Sequence, residues 1–282
     1  MSRTSSSSSS SSLLVPSISK SAHKRKPNRS TASSSSSSSS SSIFLFEGNE
    51  TLCPLIQETV SISISKKDAE FPIEIVKPPS IDELYEWYRK YGTGDEDPSW
   101  ADIWPTERFL AKCLTIDSVA ETTVMEIGAG LGFAGLIVAK YMKKKVLFLD
   151  REPLALHCAL SSARVNDVEV VHIDRFMDEG YTSNGFCAAS VFDWSKPSGF
   201  NLLPKCDLLI AGDVLYDPAT ALFLAKACKE LAKSCLICEL RRERAFGIIG
   251  KFLGECQKLG AIKAEIDESK SNEEYVVLVV EF

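Results

Sequence analysis

The chain has 282 residues, of which 44% are hydrophobic and 25% are charged, and its formal net charge is −6. These averages conceal a division, because residues 1–42 contain 23 serines and six basic residues but no Asp or Glu. Without those six, 26 Lys and Arg face 38 Asp and Glu, so the rest of the chain carries about −12. Such an acidic body argues against nucleic acid as a partner, since that binding depends on basic groups that neutralise phosphates.

The N-terminal segment, residues 1–46, is predicted to be a disordered, Ser-rich transit peptide. Its composition cannot bury a hydrophobic core, and a basic, Ser-rich segment without acids is typical of organelle targeting. It lacks the apolar run of a secretory signal. The serine content favours the chloroplast, with the mitochondrion and then the cytoplasm as alternatives. In the cytoplasmic alternative the segment is an ordinary disordered tail.

Nine cysteines are interpreted as small buried apolar residues, because no secretory signal suggests an oxidising compartment. Cys235 and Cys238 have CxxC spacing but lie in an apolar, strand-like run, which argues against a redox or zinc role. His157 and His172 are the only histidines after the tail, so no metal centre is predicted. No apolar run reaches the roughly 18 residues of a spanning helix, so no membrane association is predicted.

Residues 47–99 are predicted to form an accessory unit ahead of the main domain. Polar and apolar residues alternate over 60–64 and 71–76, which predicts a β-hairpin. The capping-box sequence from Ser80 to Glu83 then predicts a helix over Ile81–Tyr91.

An acidic loop over 92–98 leads into the main domain. Trp100 and Trp104 follow it and precede a helix with Pro105 in its first turn. Trp104 is interpreted either as a core residue or as part of a lid over a ligand.

Strands and helices alternate over residues 100–282, which predicts one α/β domain with a mostly parallel, seven-stranded sheet. The predicted strands span residues 123–127, 146–149, 187–192, 206–211, 235–238, 262–266 and 275–280. The predicted helices span residues 132–141, 153–165, 218–232 and 242–259. Residues 168–185 fit no clean period and are interpreted as a linking insertion. Only a polar turn separates the last two strands, which predicts a hairpin and an antiparallel last strand.

The stretch Val124–Leu136 has the pattern of a buried strand, a glycine-rich turn and an apolar helix. Gly128, Gly130 and Gly132 permit positive φ angles and allow a ligand to approach the backbone. A strand, glycine loop and helix in this order typically bind a nucleotide-like ligand at the carboxyl edge of a parallel sheet. The dinucleotide fingerprint would place its third glycine at position 133, where Phe133 stands, and this argues against NAD.

Acidic residues follow four consecutive predicted strands at their carboxyl ends, where open α/β sheets bind ligands. They are Glu126, Asp150, Asp193 and Asp213. Asp150 lies 22 residues after Gly128, a position from which an acid can bind ribose hydroxyls. The alternative to a ligand-binding role is a structural one, in which Asp150 caps the following helix and Asp193 begins a turn. Four such acids beside a glycine loop are better explained by a ligand site.

From Trp100 to Phe282 the chain resembles the seven-β-strand, class I S-adenosylmethionine-dependent methyltransferases. The sequence Glu126-Ile127-Gly128-Ala129-Gly130-Leu131-Gly132 is similar to the first motif of that family. Asp213-Val214-Leu215-Tyr216 resembles the Asp-x-x-Tyr/Phe motif of its protein-lysine methyltransferase group, methyltransferase family 16. Trp104-Pro105 and Asp193-Trp194 are similar to further markers of that group. The resemblance implies a Rossmann-like sheet with a reversed last strand.

The resemblance also implies S-adenosylmethionine as the cofactor. The implied cofactor-binding residues are Trp104, Glu126, Gly128, Gly130, Asp150, Asp193, Trp194 and Asp213. Gly128 and Gly130 would hold the methionine part, and Asp150 the ribose. Asp193 or the adjoining backbone would bind the adenine amine, with Trp194 beside it.

Asp213 and Tyr216 are the implied catalytic residues, at the mouth through which the acceptor enters. Transfer of an activated methyl group depends mainly on positioning, and a lysine amine must first lose a proton. Asp213 is expected to orient the amine, and Tyr216 and Trp104 to offer aromatic faces to a cation.

The sequence thus predicts N-methylation of a lysine in an organellar protein. An acidic body would assist encounter with a basic protein partner. One alternative is a small-metabolite acceptor, and another is a non-catalytic binding protein with the same fold. A monomer is favoured, although the sequence leaves the oligomeric state open.

Overall fold

The computed structural model describes residues 53–282 apart from 65–68, 95, 118–122, 179 and 182–183. The predicted transit peptide and the polar break of the predicted hairpin at 66–68 lie outside the described residues. Within the described part of the chain, no helix is long and apolar enough to cross a membrane.

The predicted hairpin is present and is longer than the sequence pattern indicated. Strands β1 (Ile56–Ile64) and β2 (Ala69–Lys77) pair antiparallel from Ile56 opposite Lys77 onward. The inner face of the hairpin carries Ile62, Ile73 and Ile75, which are buried in the same core as the helices on one face of the main sheet. The hairpin therefore packs onto the main domain through its apolar face.

The described part of the main sheet has eight strands, one more than predicted. They are β3 (Thr123–Ile127), β4 (Lys145–Asp150), β5 (Glu169–Val170), β6 (Phe186–Val191), β7 (Cys206–Gly212), β8 (Ala232–Leu240), β9 (Lys263–Ile266) and β10 (Tyr275–Glu281). Their spatial order is β5-β6-β4-β3-β7-β8-β10-β9. The prediction of seven strands was wrong because β5 lies in the supposed insertion, and its two residues are too few to show a period.

Strand direction agrees with the prediction. Every neighbouring pair from β5 to β8 is parallel, while β10 lies antiparallel between β8 and β9. The sheet is therefore mostly parallel, with a reversed last strand that forms a hairpin with the strand before it.

Seven α-helices occur in the described residues. They are α1 (Ile81–Tyr91), α2 (Pro105–Asp117), α3 (Phe133–Met142), α4 (Pro153–Val165), α5 (Ile173–Phe176), α6 (Ala221–Leu231) and α7 (Glu243–Lys258). Short 3-10 segments span Pro98–Ala101 and Pro197–Leu202. The predicted helices are confirmed within three residues at each end. Helix α5 also lies within residues 168–185. This stretch therefore contains a helix as well as a strand, and its interpretation as a linking insertion was wrong.

The sheet has a hydrophobic core on each face, because successive strand residues point to opposite sides. Val146 and Phe148 of β4 belong to one core, together with residues of α2, α3 and α4. Leu147 and Leu149 belong to the other core, together with residues of α6 and α7. The two layers of helices leave the carboxyl ends of the strands accessible at one edge.

All nine cysteines are buried, as predicted. Cys235 and Cys238 lie within β8, and burial raises the pKa of both thiols. The CxxC spacing therefore reflects two core positions of a strand, where formation of a reactive thiolate is disfavoured.

Candidate active site

An open cleft of about 750 Å³ lies at the carboxyl ends of β3, β4 and β7. Eight of the nine predicted site residues line it: Trp104, Glu126, Gly128, Gly130, Asp150, Trp194, Asp213 and Tyr216. Asp193 is not among the lining residues. Its carboxylate accepts hydrogen bonds from the amide and hydroxyl of Ser195, at 3.0 and 2.6 Å, and pairs with Lys196 at 3.0 Å. The structure thus brings together every predicted site residue except Asp193.

The glycine loop between β3 and α3 forms the floor of the cleft. Gly128 and Gly130 have φ angles of 63° and 50°, in the left-handed region that glycine adopts without strain. A Cβ atom at position 128 would lie 2.9 Å from Cγ1 of Val214 on the opposite wall. The absence of side chains therefore keeps the loop backbone accessible to a ligand.

Asp150, the last residue of β4, lies directly beside this loop. Its Oδ2 accepts the Gly130 amide hydrogen at 2.8 Å, and its Oδ1 accepts that of Glu152 at 2.9 Å. Burial raises the pKa of Asp150, while these two amide hydrogen bonds oppose the shift. Each carboxylate oxygen has a second lone pair, so the amide bonds leave capacity to accept ribose hydroxyls.

The segment between α1 and α2 forms one wall of the cleft. Trp100 is buried and donates from Nε1 to the Tyr88 hydroxyl at 3.1 Å. Trp104 is 39% exposed and donates from Nε1 to the carbonyl of Ser99 at 3.0 Å. Of the two interpretations of Trp104, the structure therefore supports a position against the ligand site rather than in the core.

Two buried carboxyl groups meet at the start of α3. Glu126 of β3 accepts the Gly135 amide hydrogen at 3.0 Å, and Glu107 of α2 accepts that of Phe133 at 2.7 Å. Burial raises the pKa of Glu107 to about 8 and that of Glu126 well above its ordinary value, with Glu107 adding to the rise for Glu126. Both side chains line the cleft. Glu107 was not among the predicted site residues, since nothing in its immediate sequence pattern marks it.

The Asp213–Tyr216 loop, residues 213–216, follows β7 and separates the cleft from a second cavity of about 470 Å³. That cavity is lined by Asp213, Leu215, Tyr216, Glu239, Leu240, Arg242, Ala245 and Ile248. Tyr216 is 61% exposed and, like Asp213, borders both spaces. Glu239, near the end of β8, is a second buried acid that was not among the predicted site residues. A group bound in either space would be within reach of this loop.

The side chains that line the cleft favour a cationic ligand. Seven of them carry carboxyl groups: Asp97, Asp102, Glu107, Glu126, Asp150, Glu152 and Asp213. Among the described residues, Arg151 is the only basic one in the lining, and it pairs with Asp97 at 3.4 Å. This surplus of carboxyl groups would repel the diphosphate of a dinucleotide, whereas it suits a ligand with sulfonium and ammonium charges. Within the described residues, no three His, Cys, Asp or Glu side chains are grouped to hold a metal ion.

S-adenosylmethionine fits these residues. The glycine loop would offer accessible backbone to its methionine part, Asp150 would offer a carboxylate to its ribose, and Trp194 would offer an aromatic face to its adenine. The buried carboxyl groups beside the loop match its positive charge.

Comparison with known proteins gives two sets of relatives. The chain is 31% identical over 83 residues to the ribosomal protein L11 methyltransferase of Clostridium perfringens (strain ATCC 13124), covering 29% of this chain and 24% of the relative. The chain is 30% identical over 79 residues to the ribosomal protein L11 methyltransferase of Alkaliphilus oremlandii, covering 28% of this chain and 23% of the relative. The chain thus spans about a quarter of the length of these relatives.

Solved structures with a similar chain fold include a ribosomal protein L11 methylase from Lactobacillus delbrueckii subsp. bulgaricus. It is 16% identical, with a TM-score of 0.45, over 62% of this chain and 77% of that chain. An O-methyltransferase family protein from Burkholderia thailandensis is 12% identical, with a TM-score of 0.46, over 71% of this chain and 59% of that chain.

A family described as lysine methyltransferase matches residues 100–246, just over half of the chain. The match includes the wall that contains Trp104, the glycine loop, the acids at the ends of β3, β4 and β7, and the Asp213–Tyr216 loop. The chain therefore belongs to this lysine methyltransferase family, whose cofactor is S-adenosylmethionine.

Proposed function

We propose that this protein transfers the methyl group of S-adenosylmethionine to the side chain of a lysine in a protein. The observation that carries the proposal is the position of Asp213 and Tyr216, which border both the cofactor cleft and the second cavity. An acceptor that lies against this loop is adjacent to the cofactor cleft. The match to a lysine methyltransferase family supports lysine as the acceptor.

The bound cofactor supplies a methyl group that is already activated on a sulfonium, so the protein need only position donor and acceptor. Gly128, Gly130 and Asp150 would hold the cofactor from one side, and Trp104 from the other. The surrounding carboxyl groups stabilise its positive charge.

The acceptor side of the site has the chemistry to recognise a lysine. Asp213 offers a carboxylate to the amine, and the exposed ring of Tyr216 offers a π-face to a cation. Water can accept the proton of the ammonium before transfer, because a lysine with a pKa of about 10.4 has a small neutral fraction near neutral pH. Asp213 therefore serves to orient the amine, and no strong base is needed.

The substrate and the compartment are further parts of the proposal. The curated relatives are named for ribosomal protein L11, so a ribosomal protein is the first acceptor class to test. The Ser-rich, basic N-terminal sequence supports a chloroplast location, and in this proposal the acceptor is a protein of that organelle.

The proposal is tested with methyl-labelled S-adenosylmethionine and protein extract from cells that lack this protein, with purified ribosomal protein L11 as a defined second probe. We expect label on lysine in the protein fraction. Asp213→Ala should abolish labelling, whereas Asp217→Asn, which removes a charge just outside the cleft lining, should retain it. Label confined to small molecules would favour a metabolite acceptor. Cofactor binding without any transfer would contradict both enzymatic readings.

A further inference from the structure

Glu239 of β8 lies beside the segment that follows β7. β7 and β8 are parallel neighbours, and Gly212, the last residue of β7, is level with Cys238. The next residue of β8, Glu239, is therefore beside the start of the Asp213–Tyr216 loop. Its side chain is only 2% exposed.

The side-chain carboxyl group of Glu239 binds the backbone of that loop. Its Oε1 accepts the amide hydrogens of Val214 and Leu215, both at 2.9 Å. These amides belong to the two residues between Asp213 and Tyr216. No hydrogen bond in the described structure involves Oε2, and Glu239 also lines the second cavity.

The loop needs such an anchor because its first residue has an uncommon backbone conformation. Asp213 has a φ of 54°, in the left-handed region, where residues other than glycine are held by their surroundings. The Asp213 amide donates to the carbonyl of Cys238 at 2.9 Å. With the two bonds to Glu239, three successive amides of the loop are bound to the end of β8.

We propose that Glu239 is a positioning residue for methyl transfer, which holds Asp213 and Tyr216 in place by accepting the two amide hydrogens between them. This inference rests on the proposed function for the identity of the acceptor and for the roles of Asp213 and Tyr216. Glu239 itself has no need to touch the cofactor or the acceptor, since its effect passes through the loop.

Two substitutions separate amide acceptance from charge. Glu239→Gln keeps an oxygen that can accept both hydrogens, and its amide nitrogen can face the second cavity. Glu239→Ala leaves both amides without an acceptor. Asn166→Ala is the matched control, because Asn166 also has a buried side chain that binds backbone, but in the contact between α4 and the hairpin.

The first measurement is hydrogen exchange of the Val214 and Leu215 amides, which requires no acceptor. We expect Glu239→Ala to speed exchange at least tenfold, and Glu239→Gln less than about threefold. Asn166→Ala should speed exchange in the hairpin and leave the local opening of the Val214 and Leu215 amides unchanged. Unchanged protection in Glu239→Ala would overturn the anchor itself.

The second measurement is the affinity for S-adenosylmethionine together with the rate of label transfer to the protein extract. Glu239→Ala should lower the rate at least tenfold while the cofactor dissociation constant changes less than twofold, and Glu239→Gln should stay within about threefold of wild type. Equal losses in both variants would show that charge matters rather than amide acceptance, and would overturn the proposal. If the wild type transfers no label while exchange responds as expected, the proposed function fails and the anchor stands.

Discussion

Glu107 and Glu126 are two buried carboxyl groups of the cleft whose pKa values are raised by burial. Burial, with a smaller contribution from Asp102, raises the pKa of Glu107, and these effects outweigh the amides at the start of α3 and Arg108, which lower it. Because its pKa is about 8, Glu107 is mostly protonated, and therefore neutral, at pH 6 when no ligand is bound. A cationic cofactor favours the ionised form, so its binding is coupled to loss of a proton.

We therefore expect the affinity for S-adenosylmethionine to rise with pH. Glu107, with a pKa of about 8 in the free protein, must release a proton to interact fully with the ligand. From pH 6 to 7.5, below the main titration of the ligand's own amino group, binding should tighten by about fivefold or more. Glu107→Gln cannot release that proton and should reduce the change to under about twofold. Titration calorimetry in two buffers of different ionisation enthalpy measures the proton release, and a flat wild-type profile would contradict the prediction.

Gly128 is the glycine whose replacement should harm cofactor binding most directly. In Gly128→Ala the new Cβ would meet Val214 at 2.9 Å and the φ of 63° would be strained, at a cost of about 1–2 kcal/mol. We expect the dissociation constant of S-adenosylmethionine to increase at least tenfold.

Gly247 is the matched control for that substitution. It lies in α7, and a Cβ added there would have no described atom within 4 Å. Gly247→Ala should stabilise the protein by about 0.5–1 kcal/mol and leave cofactor affinity unchanged. Equal effects of the two substitutions on binding would show that the loop geometry is not what matters.

The sequence pattern identifies the residues of the cleft that end strands, but two buried carboxyl groups, Glu107 and Glu239, were missed. Asp150 and Asp213 follow apolar runs, so their place at the sheet edge is readable from the pattern. Glu239 also closes such a run, and that signal was available. Glu107 lies within the first turn of α2, and its meeting with Glu126 depends on how α2 and α3 pack, which no local pattern records.

At the scale of elements, the contact between α4 and β2 fixes the hairpin on the main domain. Asn166 accepts the Glu74 amide hydrogen at 3.0 Å and donates to the carbonyl of the same residue at 2.6 Å. Ser162 accepts the amide hydrogen of Val76 at 2.8 Å. Side chains of the helix thus complete hydrogen bonds that an edge strand would otherwise leave open.

Asn166→Ala should destabilise the protein because it leaves both backbone groups of Glu74 without their partner in a partly buried contact. We expect the free energy of unfolding to fall by about 2–3 kcal/mol, measured by denaturant titration. Ser61→Ala, on the exposed side of β1, is the control and should remain within about 0.5 kcal/mol of wild type. Cofactor affinity should be unchanged in both, since neither residue lines the cleft.

Local sequence signals predicted most helices and strands correctly, but they failed to predict the two short elements in residues 168–185. The capping box placed α1 at its observed residues, and Pro153 placed the start of α4, because caps and prolines act within one turn. The stretch 168–185 contains β5 and α5, with two and four residues. Elements this short are stabilised by their neighbours in the sheet and leave no periodicity in the sequence.

At the scale of the whole molecule, the main body is acidic and so is the rim of the cleft. Residues 43–282 carry a net charge of about −12, and Asp97, Asp102 and Glu152 are among the lining side chains. A basic protein would be drawn to this face over distances comparable to the Debye length, about 10 Å at 0.1 M salt. An uncharged metabolite would not.

Salt should therefore distinguish the two classes of acceptor. For a basic protein acceptor we expect KM to increase about three- to tenfold between 50 and 500 mM salt, with little change in kcat, because screening weakens encounter more than chemistry. Asp102→Asn should reduce this dependence, whereas Glu230→Gln, exposed at the end of α6 and outside the cleft lining, should not. KM is measured by label transfer at saturating cofactor. A KM that is independent of salt would argue against a basic protein as the acceptor and would favour a neutral small molecule bound in the second cavity.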